Sequence, residues 1–319
     1  MTHRLVRTVA GGALLLMPVT LITTGAAPSP AYAGDTGVEA VVVDKRPILH
    51  PNATKFGAYD PYGDFSTQSG LETEALFLPW EDVDLATLSV ADEYALQRKR
   101  KLLITIEPWS WNEDRRLSAN DLRRRVLAGS YDANIKAISD VVKTLKSPVI
   151  IRWGQEMEDR SGRFSWADWP PQDYIKAYRK VADQFRKDRP TVQIMWSPKG
   201  QEDLEKYYPG DDYVDVIGLS VFGLQDYDMR EYGAPRTFTE ALKPGYERVA
   251  PFRKPIWVAE LGYEGDANYM QPWIQAATAK NDQFPDLKEV IYFNDRDVIG
   301  WPFGLGRPNW RVTTGSGVN

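Results

Sequence analysis

Two glutamates follow short apolar runs of the sequence, each run opened by a proline. Glu156 ends residues 148–156, and Glu260 ends residues 254–260. A buried parallel strand delivers a polar side chain to its carboxyl end in this way. The chain between the two positions has room for three strand–helix units. Two carboxyl groups brought together at the end of a barrel are the minimum that cleavage of a glycosidic bond requires.

The histidine and cysteine content excludes several other chemistries. The chain has no cysteine and two histidines, His3 and His50, and His3 lies in a segment that we expect to be removed. One remaining histidine cannot build a zinc site from His and Cys ligands, and Cys–His catalysis is excluded. A Ser–His–Asp triad would require His50, near the start of the domain. Aromatic residues make up 12% of the chain, and their faces stack on sugar rings as well as in a protein core.

The first 33 residues are typical of a secretory signal peptide. Arg4 and Arg7 supply the positive region, residues 9–22 form the apolar stretch, and Ala31-Tyr32-Ala33 offers a small-x-small cleavage site. The stretch is shorter than the roughly 20 residues of a membrane span, although an uncleaved anchor is the alternative. We therefore expect a secreted or periplasmic protein with no membrane association in its mature form.

The charge pattern makes nucleic acid an unexpected partner. The net charge is −5, from 39 basic and 44 acidic residues that are mixed along the chain. No basic stripe, phosphate loop or dinucleotide glycine fingerprint is present. We expect a monomer without metal or other cofactor. Residues 34–53 are predicted to form an N-terminal linker or arm, and residues 54–319 a single domain.

Eight apolar segments alternate with helical patterns along this domain. The predicted strands are residues 55–59, 75–79, 102–106, 149–153, 192–196, 214–221, 256–259 and 290–294. The predicted helices are residues 84–101, 132–145, 173–187, 238–249 and 267–280. Eight alternating units predict an α/β fold, a closed (β/α)8 TIM barrel. The unit between the fifth and sixth strands is short, and no long helix is evident after the eighth.

Catalytic groups in such a barrel come from the carboxyl ends of the strands. Those ends carry carboxylates, amides and aromatic rings, which suit a substrate with many hydroxyls and flat apolar faces. They include Asp60, Glu81, Glu107, Trp109, Trp111, Arg152, Gln155, Glu156, Trp196, Ser197, Glu260, Tyr263 and Asn294. A helix cap or a salt bridge is the ordinary role of any one such carboxylate. Glu156 and Glu260 together, at one level of the sheet, favour catalysis instead.

Several segments resemble glycoside hydrolase family 26, the β-mannanase-like family of a large clan of retaining barrels. They are Tyr131-Asp132, Arg152-Trp153-Gly154-Gln155-Glu156-Met157, Trp196-Ser197-Pro198, residues 207–218, residues 254–262, Tyr292-Phe293-Asn294 and Asn309-Trp310-Arg311. The resemblance covers residues 54–312. It implies that Glu156 is the acid/base and Glu260 the nucleophile.

The sequence departs from the family pattern at two positions. Gln155 stands where the family usually has His and related barrels more often have Asn, which bonds to the sugar 2-hydroxyl. Mannose and glucose differ at that hydroxyl, so both β-mannan and β-1,4 or mixed-linkage β-glucan remain as expected substrates. Phe222 aligns with the tyrosine that bonds to the nucleophile in the clan, and Tyr227 follows a few residues on.

The resulting hypothesis is a secreted, retaining, endo-acting β-glycoside hydrolase that uses double displacement. Arg152 is predicted to keep Glu260 ionised, with a structural acid inside the barrel as its alternative partner. The predicted substrate-binding residues are Trp109, Trp111, Arg152, Gln155, Trp166, Trp169, Trp196, Tyr263 and Trp301. The alternatives are an exopolysaccharide-processing enzyme or transglycosylase linked to polysaccharide synthesis, and a noncatalytic polysaccharide-binding barrel.

Overall fold

The computed structural model describes residues 44–51 and 53–313. The predicted signal peptide, residues 1–33, lies outside the described residues. Eight parallel strands close into a barrel in the order β1 to β8, and β8 pairs with β1. They are Lys55–Tyr59 (β1), Leu71–Pro79 (β2), Lys101–Glu107 (β3), Val149–Trp153 (β4), Gln193–Trp196 (β5), Val216–Leu224 (β6), Ile256–Glu264 (β7) and Leu287–Phe293 (β8). The predicted (β/α)8 TIM barrel is confirmed.

Seven α-helices of the described chain accompany the strands. They are Thr87–Gln97 (α1), Ala119–Leu127 (α2), Asp132–Val142 (α3), Pro171–Asp188 (α4), Gln225–Glu231 (α5), Phe238–Val249 (α6) and Ala267–Ala276 (α7). The five predicted helices are present, and α7 continues through Pro272. The connection from β5 to β6 holds only the short 3-10 turns Leu204–Tyr207 and Asp211–Tyr213, which confirms the short fifth unit.

Helices α2 and α5 were not predicted because neither carries a readable apolar stripe. In α2 only Leu122 and Val126 are buried, and the helix depends on Ser118, whose side chain accepts a hydrogen bond from the Asp121 N–H at its start. In α5 the one buried residue is Asp228, a charged side chain. Such helices form from tertiary packing and capping rather than from hydrophobic periodicity.

Side chains fill the barrel, so its interior is a packed core rather than a pore. The central layer consists of Ala75, Leu103, Ile150, Met195, Val216, Trp257, Ala259 and Ile291. Gly218 is required here, since a Cβ would lie 2.6 Å from the Met195 sulfur. At the amino-terminal end, buried Glu289 accepts hydrogen bonds from Lys101 (2.5 Å) and Thr73. The carboxyl end is left as the place for polar chemistry.

Candidate functional site

Glu156 is positioned by a sharp turn just beyond β4. Gly154 and Glu156 both adopt left-handed backbone conformations, with φ of 57° and 55°. The Glu156 N–H donates a 2.7 Å hydrogen bond to the Ser197 carbonyl, beyond β5. Its side chain is buried, and Oε2 has no hydrogen-bond partner among the described residues. The backbone therefore fixes the carboxyl group while one of its oxygens is left for another molecule.

Glu260 owes its orientation to a β-bulge in β7. The register against β6 shifts between Leu219, which pairs with Val258, and Ser220, which pairs with Glu260. Ala259 faces the barrel interior, and the neighbouring Glu260 reaches the inward-facing Arg152. In a regular strand two successive side chains point to opposite faces. The extra residue re-aims Glu260 toward the barrel, a common use of bulges beside active sites.

Arg152 lies between the two strand ends and joins them. It follows the inward-facing Ile150 on β4 by two residues and is fully buried. Its Nε donates to Ser197 Oγ at 2.8 Å, and Nη1 lies 2.7 Å from Glu260 Oε1. This is the partner that the sequence predicted, rather than a structural acid deeper in the barrel. The guanidinium thus places a fixed positive charge against one of the two glutamates.

The surroundings of Glu260 oppose its ionisation in part. Burial raises the pKa of Glu260 to about 7, and the nearby Glu156 acts in the same direction, whereas Arg152 and Arg163 lower it. Arg163 comes from the loop after β4. Burial alone would lower the pKa of Arg163, but Glu156, Asp297 and Glu260 raise it above its ordinary value. Two arginines and two glutamates therefore interact within one largely buried cluster.

Glu107, at the end of β3, accepts hydrogen bonds from three neighbouring side chains. Its Oε2 accepts hydrogen bonds from the indole N–H groups of Trp111 (2.7 Å) and Trp109 (3.1 Å). Its Oε1 accepts from Gln155 Nε2 at 3.1 Å, which leaves the buried Gln155 Oε1 without a partner among the described residues. The sequence placed Glu107 at a strand end but assigned it no role. Gln155 is held so that its carbonyl oxygen remains free to accept a hydrogen bond.

A second unpredicted link crosses the mouth between the loops after β4 and β8. Arg163 Nη2 donates to Asp297 Oδ1 at 3.0 Å, and the Trp301 indole N–H donates to Asp297 Oδ2 at 2.8 Å. Trp301 remains half-buried. Arg163 and Asp297 lie in irregular loops, where hydrophobic periodicity gives no signal. Together they hold Trp301 at the rim of the site.

Four of the predicted substrate-binding residues, Trp166, Trp169, Trp196 and Tyr263, have rings that are buried in the core. Trp196 is fully buried and packs outside the barrel against Tyr208 and Phe252, at 5.2 and 5.5 Å between ring centroids. Tyr263 is fully buried, contacts Trp273, and donates its hydroxyl to the Lys45 carbonyl. A ring enclosed on all sides cannot stack on a sugar.

The predicted Trp166 and Trp169 are buried in the same way. The Trp166 indole donates to the Gln155 carbonyl at 2.7 Å, and that of Trp169 to the Ser165 carbonyl at 2.9 Å. Trp166 thus supports the backbone that leads to Glu156. Trp109 is also largely covered, since the Arg116 guanidinium lies 3.8 Å from the centre of its ring. Of the predicted tryptophans, Trp111 and Trp301 keep the most exposed surface.

Four half-buried aromatic side chains, here called the floor, lie beside the charged cluster: Tyr59, Phe77, Phe222 and Phe293. Tyr59 contacts Phe77 at 4.9 Å, Phe77 contacts Phe293 at 5.7 Å, and the Arg152 guanidinium lies 5.9 Å from the Phe77 ring. Phe222 continues this layer toward Trp301 at 6.3 Å. Tyr227, on helix α5, also packs on Trp301 at 5.1 Å. The floor is apolar, which strengthens the electrostatic interactions above it.

Residues 44–51 and 53–313 contain no cluster of three or more metal-ligating side chains. Within the same ranges, no helix has the length and apolar character needed to cross a bilayer.

The fold and the site together define a closed (β/α)8 barrel whose fourth and seventh strands present a pair of interacting glutamates at the carboxyl end. The family model of Glycosyl hydrolase family 26 matches residues 121–241, a segment that contains Glu156. This match confirms the resemblance to family 26 that the sequence predicts.

Curated relatives and solved structures agree with this placement. A β-1,3-xylanase from Alcaligenes sp is 29% identical over 117 residues, 34% of this chain and 24% of the relative. A mannan endo-1,4-β-mannosidase from Bifidobacterium adolescentis is 23% identical over 211 residues, 59% of this chain and 20% of the relative. The chain thus spans about a quarter or less of each relative's length.

The fold is shared with solved β-mannanases. A family 26 β-mannanase from Bacteroides ovatus superposes with a TM-score of 0.55 at 18% identity, over 76% of this chain and 81% of that one. A modular endo-β-1,4-mannanase from Cellulomonas fimi gives a TM-score of 0.58 at 17% identity, over 79% and 68%.

Proposed function

We propose that this protein is a retaining, endo-acting β-glycoside hydrolase with Glu260 as nucleophile and Glu156 as acid/base. The observation that carries the proposal is the unequal environment of the two glutamates. Glu260 faces the Arg152 guanidinium at 2.7 Å, whereas Glu156 Oε2 is buried with no partner among the described residues. The guanidinium favours the negative charge that attack by Glu260 requires, and the unpartnered Glu156 Oε2 is free to face the leaving oxygen.

In the first step, a carboxylate oxygen of Glu260 forms a bond to the anomeric carbon as the glycosidic bond breaks. The leaving oxygen takes the proton of Glu156. In the second step, Glu156 removes a proton from water, and the water oxygen attacks the anomeric carbon. The ester bond to Glu260 then breaks, and the sugar leaves with its original anomeric configuration.

The proposed substrate is a β-linked polysaccharide of the mannan, glucan or xylan type. The relatives carry the names of β-1,3-xylanases and mannan endo-1,4-β-mannosidases. The free Gln155 Oε1 supports recognition of a sugar hydroxyl beside the acid/base, because a buried acceptor gains most from a donor supplied by the ligand. From the predicted signal peptide we also propose that the protein acts after export. A monomer is the proposed active form.

The test is a panel of mannan, mixed-linkage β-glucan, β-1,3-glucan, β-1,3-xylan, β-1,4-xylan and cellulose, with products sized by chromatography. We expect one polymer to yield mixed oligosaccharides, and proton NMR of the fresh product to show retention. Inverted products would overturn the assignment of Glu260 as nucleophile. Products longer than the substrate would indicate a transglycosylase, and binding without cleavage would indicate a noncatalytic barrel.

A further inference from the structure

Four aromatic rings form a continuous surface outside the catalytic cluster, here called the outer aromatic patch: Tyr227, Tyr232, Trp301 and Phe303. Tyr227 on α5 lies 5.1 Å from Trp301, 6.0 Å from Phe303 and 6.2 Å from Tyr232 between ring centroids. Tyr232 is 54% exposed and Phe303 is 50% exposed. The patch therefore joins the end of α5 to the loop after β8 and presents large apolar faces to solvent.

Phe303 is held in a conformation that a bulky residue rarely adopts. Its φ of 62° and ψ of 17° lie in the left-handed region, which costs free energy for a residue with a Cβ. The Trp301 N–H donates to the Gly306 carbonyl at 2.6 Å and closes a tight loop around Phe303. Arg230 Nη1 on α5 donates to the Phe303 carbonyl at 3.0 Å. The fold thus maintains a strained backbone to present a ring that is only half-buried.

The patch is continuous with the candidate active site through Trp301. The indole of Trp301 bonds to Asp297, which is held by Arg163 from the loop beside Glu156. The same ring contacts Phe222 at 6.3 Å, and Phe222 contacts the floor residue Phe293 at 6.3 Å. A molecule that extends outward from the catalytic pair along this side therefore passes from Trp301 onto Phe303 and Tyr232.

We propose that the outer aromatic patch binds distal sugar units of the same β-linked polysaccharide whose bond is cleaved between Glu156 and Glu260. This inference rests on the proposed function. Aromatic faces suit such an occupant, because sugar rings present flat C–H surfaces and leave their hydroxyls in water. Arg236 packs 4.1 Å from the centre of the Tyr232 ring and fixes its orientation. Pre-positioned rings bind with little loss of side-chain entropy.

The experiment compares Phe303→Ala and Tyr232→Ala with Leu96→Ala, an exposed apolar control on α1 that is 41% exposed. Initial rates are measured on the preferred polymer and on a short oligosaccharide of the same linkage. For the two aromatic variants we expect KM on the polymer to rise by about threefold to tenfold, with a much smaller change on the oligosaccharide. Leu96→Ala should match the wild type on both substrates.

A further variant, Phe303→Gly, separates binding from structure. It should raise thermal stability by relieving the left-handed strain, yet lose polymer affinity like Phe303→Ala. Equal KM changes on both substrates, or no change on the polymer, would overturn the inference. So would a sedimentation shift showing that the patch joins two copies of the chain.

A wild type that cleaves no glycan of the panel would contradict the proposed function, but it would not decide whether the outer aromatic patch binds the polymer. Affinity electrophoresis in polymer gels still decides the patch in that case. Retention of the wild type that Phe303→Ala loses would support it, and equal retention of both would overturn it.

Discussion

Nη1 of Arg152 lies 2.7 Å from Oε1 of Glu260, and both side chains are buried at the mouth of the barrel. Arg152 is the penultimate residue of β4, the strand that leads to Glu156, so one cation connects the strands of both glutamates. Removing one partner of a buried ion pair leaves an uncompensated charge and costs about 3–5 kcal/mol. The proposed catalytic pair and the stability of the barrel are therefore coupled at this contact.

The two glutamates should differ in their response to external anions. In Glu260→Ala the nucleophile is lost, and azide can attack the anomeric carbon from the opposite face. We expect the rate to fall by about two to four powers of ten or more, with azide restoring part of it and giving an inverted glycosyl azide. In Glu156→Ala the nucleophile remains, so an activated aryl glycoside should show a burst followed by slow turnover, and azide should give a retained product.

NMR of the products and stopped-flow kinetics on the aryl glycoside distinguish the two variants. Identical behaviour of the two, or wild-type rates in either, would contradict the assigned roles.

The pH dependence of the first step should follow Glu260. Its pKa is raised to about 7, and the charge of Glu156 is one of the causes. Since only the ionised carboxylate attacks, burst rates should fall on the acid side of this pKa. Glu156→Gln removes the negative neighbour, lowers the pKa of Glu260, and should move the acid limb to lower pH. The exposed Glu113→Gln is the control. An acid limb that does not move would show that another group controls it.

The same shift has a consequence for stability. A carboxyl whose pKa is raised on folding stabilises the folded state most below its ordinary value of 4.5, and this contribution is lost as pH rises through about 7. Glu156→Gln should therefore reduce the pH dependence of the free energy of unfolding between these values, as measured by urea denaturation.

Glu107 should act as a positioning residue for Gln155, Trp109 and Trp111. Glu107→Gln replaces an acceptor of three hydrogen bonds with an amide, and we expect a loss of about 1–3 kcal/mol in transition-state binding. The change should appear mainly in KM and in the preference between mannan and glucan oligosaccharides, because Gln155 loses its anchor. Glu113→Gln, on the same loop, should behave as wild type. Equal losses of kcat on every substrate would indicate a general structural defect instead.

Substitution of Trp196 should mainly lower stability, whereas substitution of Trp301 should mainly weaken substrate binding. Trp196→Phe leaves space in the packing against Tyr208 and Phe252 and should lower the free energy of unfolding by about 1–3 kcal/mol, with KM unchanged. Trp301→Phe loses the hydrogen bond to Asp297 at the rim and should raise KM with a smaller effect on unfolding. Denaturant titration and initial rates on the same preparations separate the two. A raised KM in Trp196→Phe would contradict this and indicate that Trp196 contributes to substrate binding.

The sequence predicts the barrel well because its strands are buried on both faces and lie between helices with clear apolar stripes. The predicted bounds of β1 and β4 are those observed, whereas β7 runs five residues beyond the predicted end at Ala259. The bulge lies at that predicted end, between Val258 and Glu260, and no local composition reveals a change of register. Helix α5 depends on Asp228, whose carboxylate accepts hydrogen bonds from Arg236, 8 residues on, and from Tyr269, 41 residues on.

The candidate site is predicted in part, and the strand period explains one error. Glu156 lies just beyond β4 as expected, whereas Glu260 lies within β7, before its end at Glu264. On β5, Met195 faces the barrel interior, so the alternation of side chains turns Trp196 outward to the helices. Loop tryptophans carry no such period, and Trp166 is buried because its indole reaches the Gln155 carbonyl. Arg163 and Asp297 meet only through the closure of the barrel, which no pattern within either loop encodes.

The left-handed backbone of Glu156 lowers local stability at the residue proposed as the acid/base. Glycine adopts its φ of 55° without strain, and loss of the side chain also removes a buried carboxyl oxygen without a partner among the described residues. Selection for heat resistance alone would therefore favour Glu156→Gly. A library screened without an activity assay should accumulate variants with higher thermal stability and no activity. Laboratory evolution of this barrel has to reward turnover in every round in order to keep Glu156, the proposed acid/base.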